Sequence, residues 1–457
     1  MGGCTFTRRD FLRLAAGGAA LAVTEAGCSS GSDKPKSSAK SGAAAAGAEG
    51  KPTLRIAQWN NYVAGYDQWW DEEYTKSWGE RNGVEVVVDH FDINQAPAHA
   101  EAEVASQRGH DLFHQHLASP APFEDHVIDH REIVERIEAK VGKMQAFVER
   151  STLNPKTGKY FGVSDFWVAN PTHYRTDLWD PLGRRPDSWQ DVLSGGGRLK
   201  ALGHPIGIGL GGDPESNTVL LGLMHGFGGS VQDEAGNVVI NSRATVEAVK
   251  LGAAIFRAGM TEDVFNWDIT SNNRYLISGR GSLIVNGLPA IRALETQDPD
   301  LAAKVQLLPV PSGPGGRLSP YVVSIYVIWK FSENQEAAKQ FLVDLASDYR
   351  EPFLRSQFDQ IPSFPGAIGD FGNLVASDPR AKPPEKYGLL ARASEWTTNV
   401  GHPGHTNAAI DEVIKASLIS QMFAAAARGE MSAEEAVKAA DAKIKPIYDK
   451  WREQGKI

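Results

Sequence analysis

The sequence predicts an α/β fold with largely parallel sheets. Short apolar runs of strand length alternate with amphipathic stretches of helical length. After a low-complexity start about 400 residues remain, room for two or three domains. The only cysteines are Cys4 and Cys28, so the body of the chain has neither a disulfide nor a cysteine-ligated metal.

Taken in order, residues 1–27 read as an export leader. Thr7-Arg8-Arg9-Asp10-Phe11-Leu12 sets two adjacent arginines before an apolar stretch over 14–23. Ten residues reach about 15 Å as a helix, half of a roughly 30 Å bilayer core, so this is a signal h-region rather than a membrane span. The paired arginines resemble a twin-arginine signal. Cys28 directly follows Ala26-Gly27, as the lipidated cysteine of a lipoprotein does, although Glu25 stands where leucine is usual. Lipidation at Cys28 and plain cleavage near Ala26 are the two readings. Myristoylation is not expected, because Phe6 stands where Ser or Thr is required. Residues 28–52 are rich in Ser, Gly, Ala and Lys and bury too little to offset ordering, so a disordered tether is expected there.

Strands are expected over 53–59, 84–89, 111–113, 206–210, 282–285, 305–308 and 321–328. Helical patterns cover 67–81, 128–149, 188–202, 243–258 and 334–346. No short internal repeat is present. The formal charge is -9, and the leader's three arginines against two acids leave the remainder slightly more acidic. Such a body has no electrostatic footprint for nucleic acid.

Several landmarks follow one another in a set order. Leu54-Arg55-Ile56-Ala57-Gln58-Trp59 is a first strand ending in polar and aromatic residues. Gly109-His110-Asp111-Leu112-Phe113 opens another. Gly158-Lys159-Tyr160-Phe161-Gly162-Val163 precedes Tyr174 and Asp177-Leu178. Pro186-Asp187-Ser188-Trp189-Gln190-Asp191-Val192-Leu193 starts a helix. Gly279-Arg280-Gly281-Ser282-Leu283-Ile284-Val285-Asn286-Gly287 follows, then a Pro-Gly loop over 309–316 and a strand and helix over 328–345. Together these resemble the family 1 extracellular solute-binding proteins, the maltose-binding-protein group, from Pro52 to the C-terminus. Ser164 replaces the proline of the first crossover, and Arg175 an asparagine. Leu288-Pro289 stands where malto-oligosaccharide binders carry a sugar-stacking tryptophan.

The resemblance implies a two-lobed periplasmic-binding-protein fold of type II, hinged, with a ligand cleft between the lobes. By motif position one lobe takes 53–163 plus 309–346, the other 164–308 plus 347–457. Hinges fall near 163–166, 308–310 and 346–349. The implied function is that of a monomeric solute-binding component of an ABC importer, with a small-molecule ligand, a permease partner and no cofactor. A saccharide is the expected ligand; a polyol, a glycerophosphodiester or a polyamine is the alternative.

Saccharides need hydroxyl partners and aromatic faces, and ligands in open α/β sheets sit at the carboxyl ends of strands. The chain has 11 Trp. Candidates after the first strand are Trp59, Asn60, Asn61 and Tyr62. Asp92 follows the second strand and His116 the third, and Asp165 and Trp167 follow the first crossover. In the other lobe the family places contacts at the loop holding Glu215 and Asn217. Trp267, Asn286, Gly287, Trp396 and His405 complete the set. Trp69, Trp70, Trp78, Trp179, Trp189, Trp329 and Trp451 read as structural.

Two rivals remain. His110, His114, His116, His126 and His130 crowd one region; His126 and His130 have the spacing of one helix face, His114 and His116 that of one strand face. Scattered surface histidines are the simpler expectation, with no metal site. For an enzyme, no nucleophile elbow, phosphate loop or zinc motif appears. Asp71-Glu72-Glu73 reads as a solvated helix face, and Gly195-Gly196-Gly197 as a loop at a helix end. No catalytic residue is expected.

Overall fold

A computed structural model describes residues 51–457; the leader, Cys28 and nearly all of the tether lie outside them. Eight strands form the two main sheets: β1 (Thr53–Trp59), β2 (Glu85–Phe91), β3 (Leu112–His116), β4 (Thr172–Arg175), β5 (Ile206–Gly207), β6 (Leu283–Val285), β7 (Val305–Leu308) and β8 (Ser324–Ile328). The first sheet runs β8-β3-β1-β2 and the second β7-β4-β6-β5.

Neither sheet is wholly parallel. β1 pairs in parallel with β2 and β3, and β5 with β6. β8 is antiparallel to β3, and β4 is antiparallel to both β6 and β7. The expectation of largely parallel sheets therefore fails in the second sheet. The reason is connectivity. A parallel neighbour needs a crossover connection, usually a helix. β8 follows β7 of the other sheet with no helix between them, and β4 is entered from the extended stretch after Ala146–Thr152 rather than from a crossover helix.

Helices cover the sheets. Arg131–Val141 packs on Gln335–Ser347 beside the first sheet, and Trp189–Ala201 packs on Arg243–Gly259 beside the second. Leu418–Arg428 and Ala433–Glu453 then pack on Arg243–Gly259. The helix expected over 128–149 is broken. It forms Arg131–Val141 and Ala146–Thr152, because Gly142 leaves the helical region at φ 86°. The glycine run is not a helix-end loop: it lies inside Trp189–Ala201. There the missing side chains permit close packing. A Cβ on Gly195 would meet the Trp179 ring at 2.5 Å, and one on Gly196 would meet Ile206 at 2.6 Å. Ser188 starts this helix with a capping box, its hydroxyl accepting from the Asp191 N–H.

Three stretches join the halves and lie side by side. Val163 and Tyr326 exchange backbone hydrogen bonds of 2.9 and 2.8 Å, and the Val168 N–H donates to Val322 O at 2.8 Å. Phe166–Trp167 pairs antiparallel with Ile361–Pro362. Asp165 sits buried in this strip. It accepts from the Ser324 hydroxyl at 2.5 Å and from the Tyr349 hydroxyl at 3.2 Å. His114 Nε2 reaches the same Ser324 hydroxyl at 2.6 Å. Residues 363–366 dock back on the first half, where the Gln145 N–H donates to Ser363 O at 3.0 Å.

Candidate functional site

The carboxyl ends of β1 and β3 face those of β5 and β6 across a cleft. This follows from chain direction: parallel strands deliver their following loops to one edge. Beyond β1, an Asx turn folds the chain back, with Asn61 Oδ1 accepting from the Val63 N–H at 2.8 Å. That turn leaves Trp59, Asn61 and Tyr62 on the cleft wall. Trp59 is buried and stacks on His114 with centroids 4.8 Å apart. Its indole Nε1 is buried without a partner. Tyr62 stands at the mouth, 44% exposed. His116, at the end of β3, is buried; burial, with Lys415 adding to it, lowers its imidazole to about 4, so it is neutral. Its Nδ1 also lacks a partner.

The opposite wall begins at Asp213, which caps the Pro214–Gly226 helix by accepting from the Ser216 N–H at 2.9 Å. The cap and Pro214 place Glu215 in the first turn, on the cleft. Glu215 is only 7% exposed, and its carboxyl accepts from the Asn272 amide. Burial, then the neighbouring Asp213 charge, pushes it well above the usual carboxylate range, against the Asn272 hydrogen bond. Asn286 and Gly287 follow β6, and the Tyr321 hydroxyl donates to Asn286 Oδ1 at 2.6 Å. Gly287 permits a close approach: a Cβ there would stand 3.1 Å from Asp359 Oδ1 and from Val168. Asp359 itself accepts from the Leu288 N–H at 2.9 Å, and burial pushes it up to about 7.

Of the sequence candidates, Trp59, Asn61, Tyr62, His116, Glu215, Asn286 and Gly287 come together on this cleft. The others do not. Asn60 is exposed, and exposed Asp92 caps a short turn by accepting from the Asn94 N–H. Asp165 is spent in the joining strip. Trp167 points away from its neighbour Val168, which lines the cleft, because side chains alternate in extended chain. Its indole donates to Pro362 O at 3.2 Å. Asn217 is fully buried and holds two backbone groups, Asp213 O and the Ser420 N–H. Trp267 packs on Tyr275 over Gly207, in a smaller cavity behind Glu215. Trp396 is buried beside Ser319. His405 lies in a loop held by Gln232.

Tyr321, Asn273 and Asp359 line the cleft and were absent from the candidates. Tyr321 reads as the first residue of a strand, but β8 starts at Ser324 and Tyr321 belongs to the joining stretch. Asp359 follows Gln357 and Phe358, which adopt left-handed φ of 55° and 77° with no glycine to signal it.

The histidines do not converge. His126 ends a 3-10 turn and His130 precedes the next helix, so they share no helix face. His114, His116 and His130 are buried rather than on the surface. His130 uses both ring nitrogens, on Tyr160 O and the Ile328 N–H. Among the described residues no group of three or more His, Cys, Asp or Glu is placed to hold a metal. No helix among them is long and apolar enough to cross a membrane.

No curated protein matches the chain. Among solved structures, a laminaribiose-bound sugar transporter from Arthrobacter chlorophenolicus A6 matches with 15% identity and a TM-score of 0.72, over 86% of this chain and 99% of that one. Maltose-bound MalE3 of T. maritima matches at 20% and 0.69, over 86% and 99%. The GacH receptor of Streptomyces glaucescens GLA.O, solved with acarbose, matches at 18% and 0.69, over 87% and 99%. At these identities the likeness is one of fold, and the fold is the two-lobed periplasmic-binding type. Residues 133–348 match the family model for bacterial extracellular solute-binding protein. Over that segment, and in its fold, the chain is similar to the bacterial extracellular solute-binding proteins.

Proposed function

We propose that the chain is the extracytoplasmic solute-binding component of an ABC importer, taking a saccharide into the cleft and delivering it to the permease. One observation carries this reading. The cleft combines aromatic rings (Trp59, Tyr62, Tyr321) with amide and carboxyl side chains (Asn273, Asn286, Glu215, Asp359) drawn from both sheets. Rings suit the C–H faces of a sugar, and the polar groups suit its hydroxyls. The ligands of the fold relatives, laminaribiose, maltose and acarbose, support the same class. Among the described residues that line the cleft none is Lys or Arg, so a glycerophosphodiester would have only a helix N-terminus, at Pro214 or Pro289, for its phosphate.

In this reading the lobes divide as 53–163 plus 309–346 and 164–308 plus 347–457, and they close on the ligand about the joining strip. Ligand contacts fall to Trp59, Asn61, Tyr62, His116, Glu215, Asn286 and Gly287, with Tyr321 and Asp359 added. The leader exports the protein and Cys28 anchors it to lipid. Mass spectrometry of the mature N-terminus tests the anchor: a diacylglyceryl Cys28 is expected, and an unmodified N-terminus near Ala26 contradicts it.

A thermal-shift screen across mono-, di- and oligosaccharides, polyols and polyamines tests the ligand class. Ligand raises the melting temperature by mass action, about 2.7 kcal/mol of stabilisation at a hundredfold excess over Kd. Stabilisation by saccharides is expected. Stabilisation by polyamines alone, or by none of these solutes, contradicts the reading.

A further inference from the structure

The cleft has a charge pattern that a neutral sugar leaves unmatched. Two carboxyl groups face it from different elements, Glu215 from the first turn of its helix and Asp359 from the stretch after the Arg350–Arg355 helix. Among the described residues neither makes an ion pair. The charges that bear on Glu215 besides its own are those of Asp213 and Asp268, both acidic. Asp268 is itself paired with Arg274 at 3.1 Å. On Asp359 the one opposing charge is Arg292. That guanidinium is already engaged, with Glu295 at 3.0 Å, Asp378 at 2.9 Å and the Tyr387 ring beneath it at 3.7 Å. The remaining titratable neighbours, Tyr62, Tyr321 and His116, are uncharged.

A buried carboxyl without a cation has two states, and both cost free energy. Ionised, it is an uncompensated buried charge; protonated, it has given up its ordinary ionisation. Burial drives both groups toward protonation in the empty cleft. A ligand ammonium supplies the missing charge, and Trp59, Tyr62 and Tyr321 offer ring faces that favour a cation. Two further groups bear on the neutral part of such a ligand. Trp59 Nε1 and His116 Nδ1 are buried without partners, and both residues line the cleft. Hydroxyl groups satisfy them; an ammonium, which has no acceptor, cannot satisfy the indole N–H.

We propose that the cleft selects an amino-bearing saccharide, with the ammonium charge matched by Glu215 and Asp359 and ring hydroxyls taken by Trp59 and His116. The inference rests on the saccharide-binding reading and narrows it. Binding then converts a protonated carboxyl to a carboxylate facing the ammonium. The proton goes to solvent, and the ligand keeps its own.

Titration calorimetry on the full chain tests this with matched probes: glucose, glucosamine and N-acetylglucosamine, the same three forms in the galacto and manno series, and the corresponding disaccharides. Within the series that binds, the free amine is expected to bind at least about tenfold tighter than its hydroxyl and acetylated counterparts, the range of a charge-assisted contact. Repeating the titration in buffers of different ionisation enthalpy should show net proton release for the amine and none for the neutral sugar. Glu215→Gln and Asp359→Asn should each reduce the amine preference. If either variant fails to fold, the proton count on the unaltered chain still decides. Equal or tighter binding of the neutral sugars overturns the amine proposal and leaves the saccharide reading standing. Failure of every sugar, with or without binding of spermidine as a control, overturns both.

Discussion

Trp59 offers the cleft both a ring face and an N–H that nothing in the protein accepts. Trp59→Ala should therefore weaken saccharide binding by about ten- to a hundredfold, on the order of 1–3 kcal/mol. Unchanged affinity in titration calorimetry would remove Trp59 from the site. Gly195→Ala acts on the fold alone. Its methyl group meets the buried Trp179 ring, so a loss of about 1–3 kcal/mol in urea unfolding is expected; a neutral result would mean that the ring has room to shift. Single residues also show where sequence is informative and where it is not. Trp59, Asn61 and Tyr62 were legible because they directly follow an apolar strand, and strand ends face ligands. Trp167 and Trp396 have the same composition and the opposite outcome. An indole suits a site or a core equally, and which way it points depends on partners distant in sequence, as Pro362 is for the Trp167 indole. Asp359 was hidden because its position depends on left-handed backbone at Gln357 and Phe358.

At the scale of elements, most of the expected strands and helices are present, but the helix over 128–149 is broken, β4 and the helices Pro214–Gly226, Leu418–Arg428 and Ala433–Glu453 were not read from periodicity, and neither was strand direction. β4 runs against its neighbours because of how the chain enters the second sheet, which no local pattern records. The joining strip carries a testable consequence of its burial. Burial raises the Asp165 carboxyl to about 6, above the roughly 3.9 of an exposed aspartate. A raised folded value means that its contribution to stability is fully present below about pH 4 and is lost as pH rises through 6. Two units correspond to about 3 kcal/mol at most. Its titratable neighbours, His114, Tyr66, Tyr326 and Tyr349, are all held neutral by burial, so none offsets the charge. Asp165→Asn keeps an acceptor for Ser324 and cannot ionise. Relative to the unaltered chain it should gain stability between pH 4.5 and pH 7.5 in urea unfolding. A difference that does not change with pH would contradict this assignment.

For the whole molecule, the opposite sign dominates. Burial lowers His116, His130 and His173 to about 4 and His225 to about 3. A lowered folded value means stability that is present above about pH 6.5 and lost as pH falls toward 4. Between pH 6.5 and pH 4 each such histidine loses about 3 kcal/mol at most, and four of them exceed the contrary contributions of Asp165, Glu215 and Asp359. The melting temperature should therefore fall steeply from pH 6.5 to pH 4; a flat or rising profile would show that these histidines are not held neutral. The two-lobed plan itself was legible, because ordered landmarks along the chain resemble those of a known family. The cleft was legible only in part, since seven candidates converge on it and Tyr321, Asn273 and Asp359 arrive from segments whose paths are set by tertiary contacts. The central claim is that a small saccharide binds between the two sheets. A crystal structure of the protein grown with the best-stabilising saccharide tests it most directly: ligand density against Trp59, Glu215 and Asn286 is the predicted result, and density elsewhere with this cleft empty would contradict it.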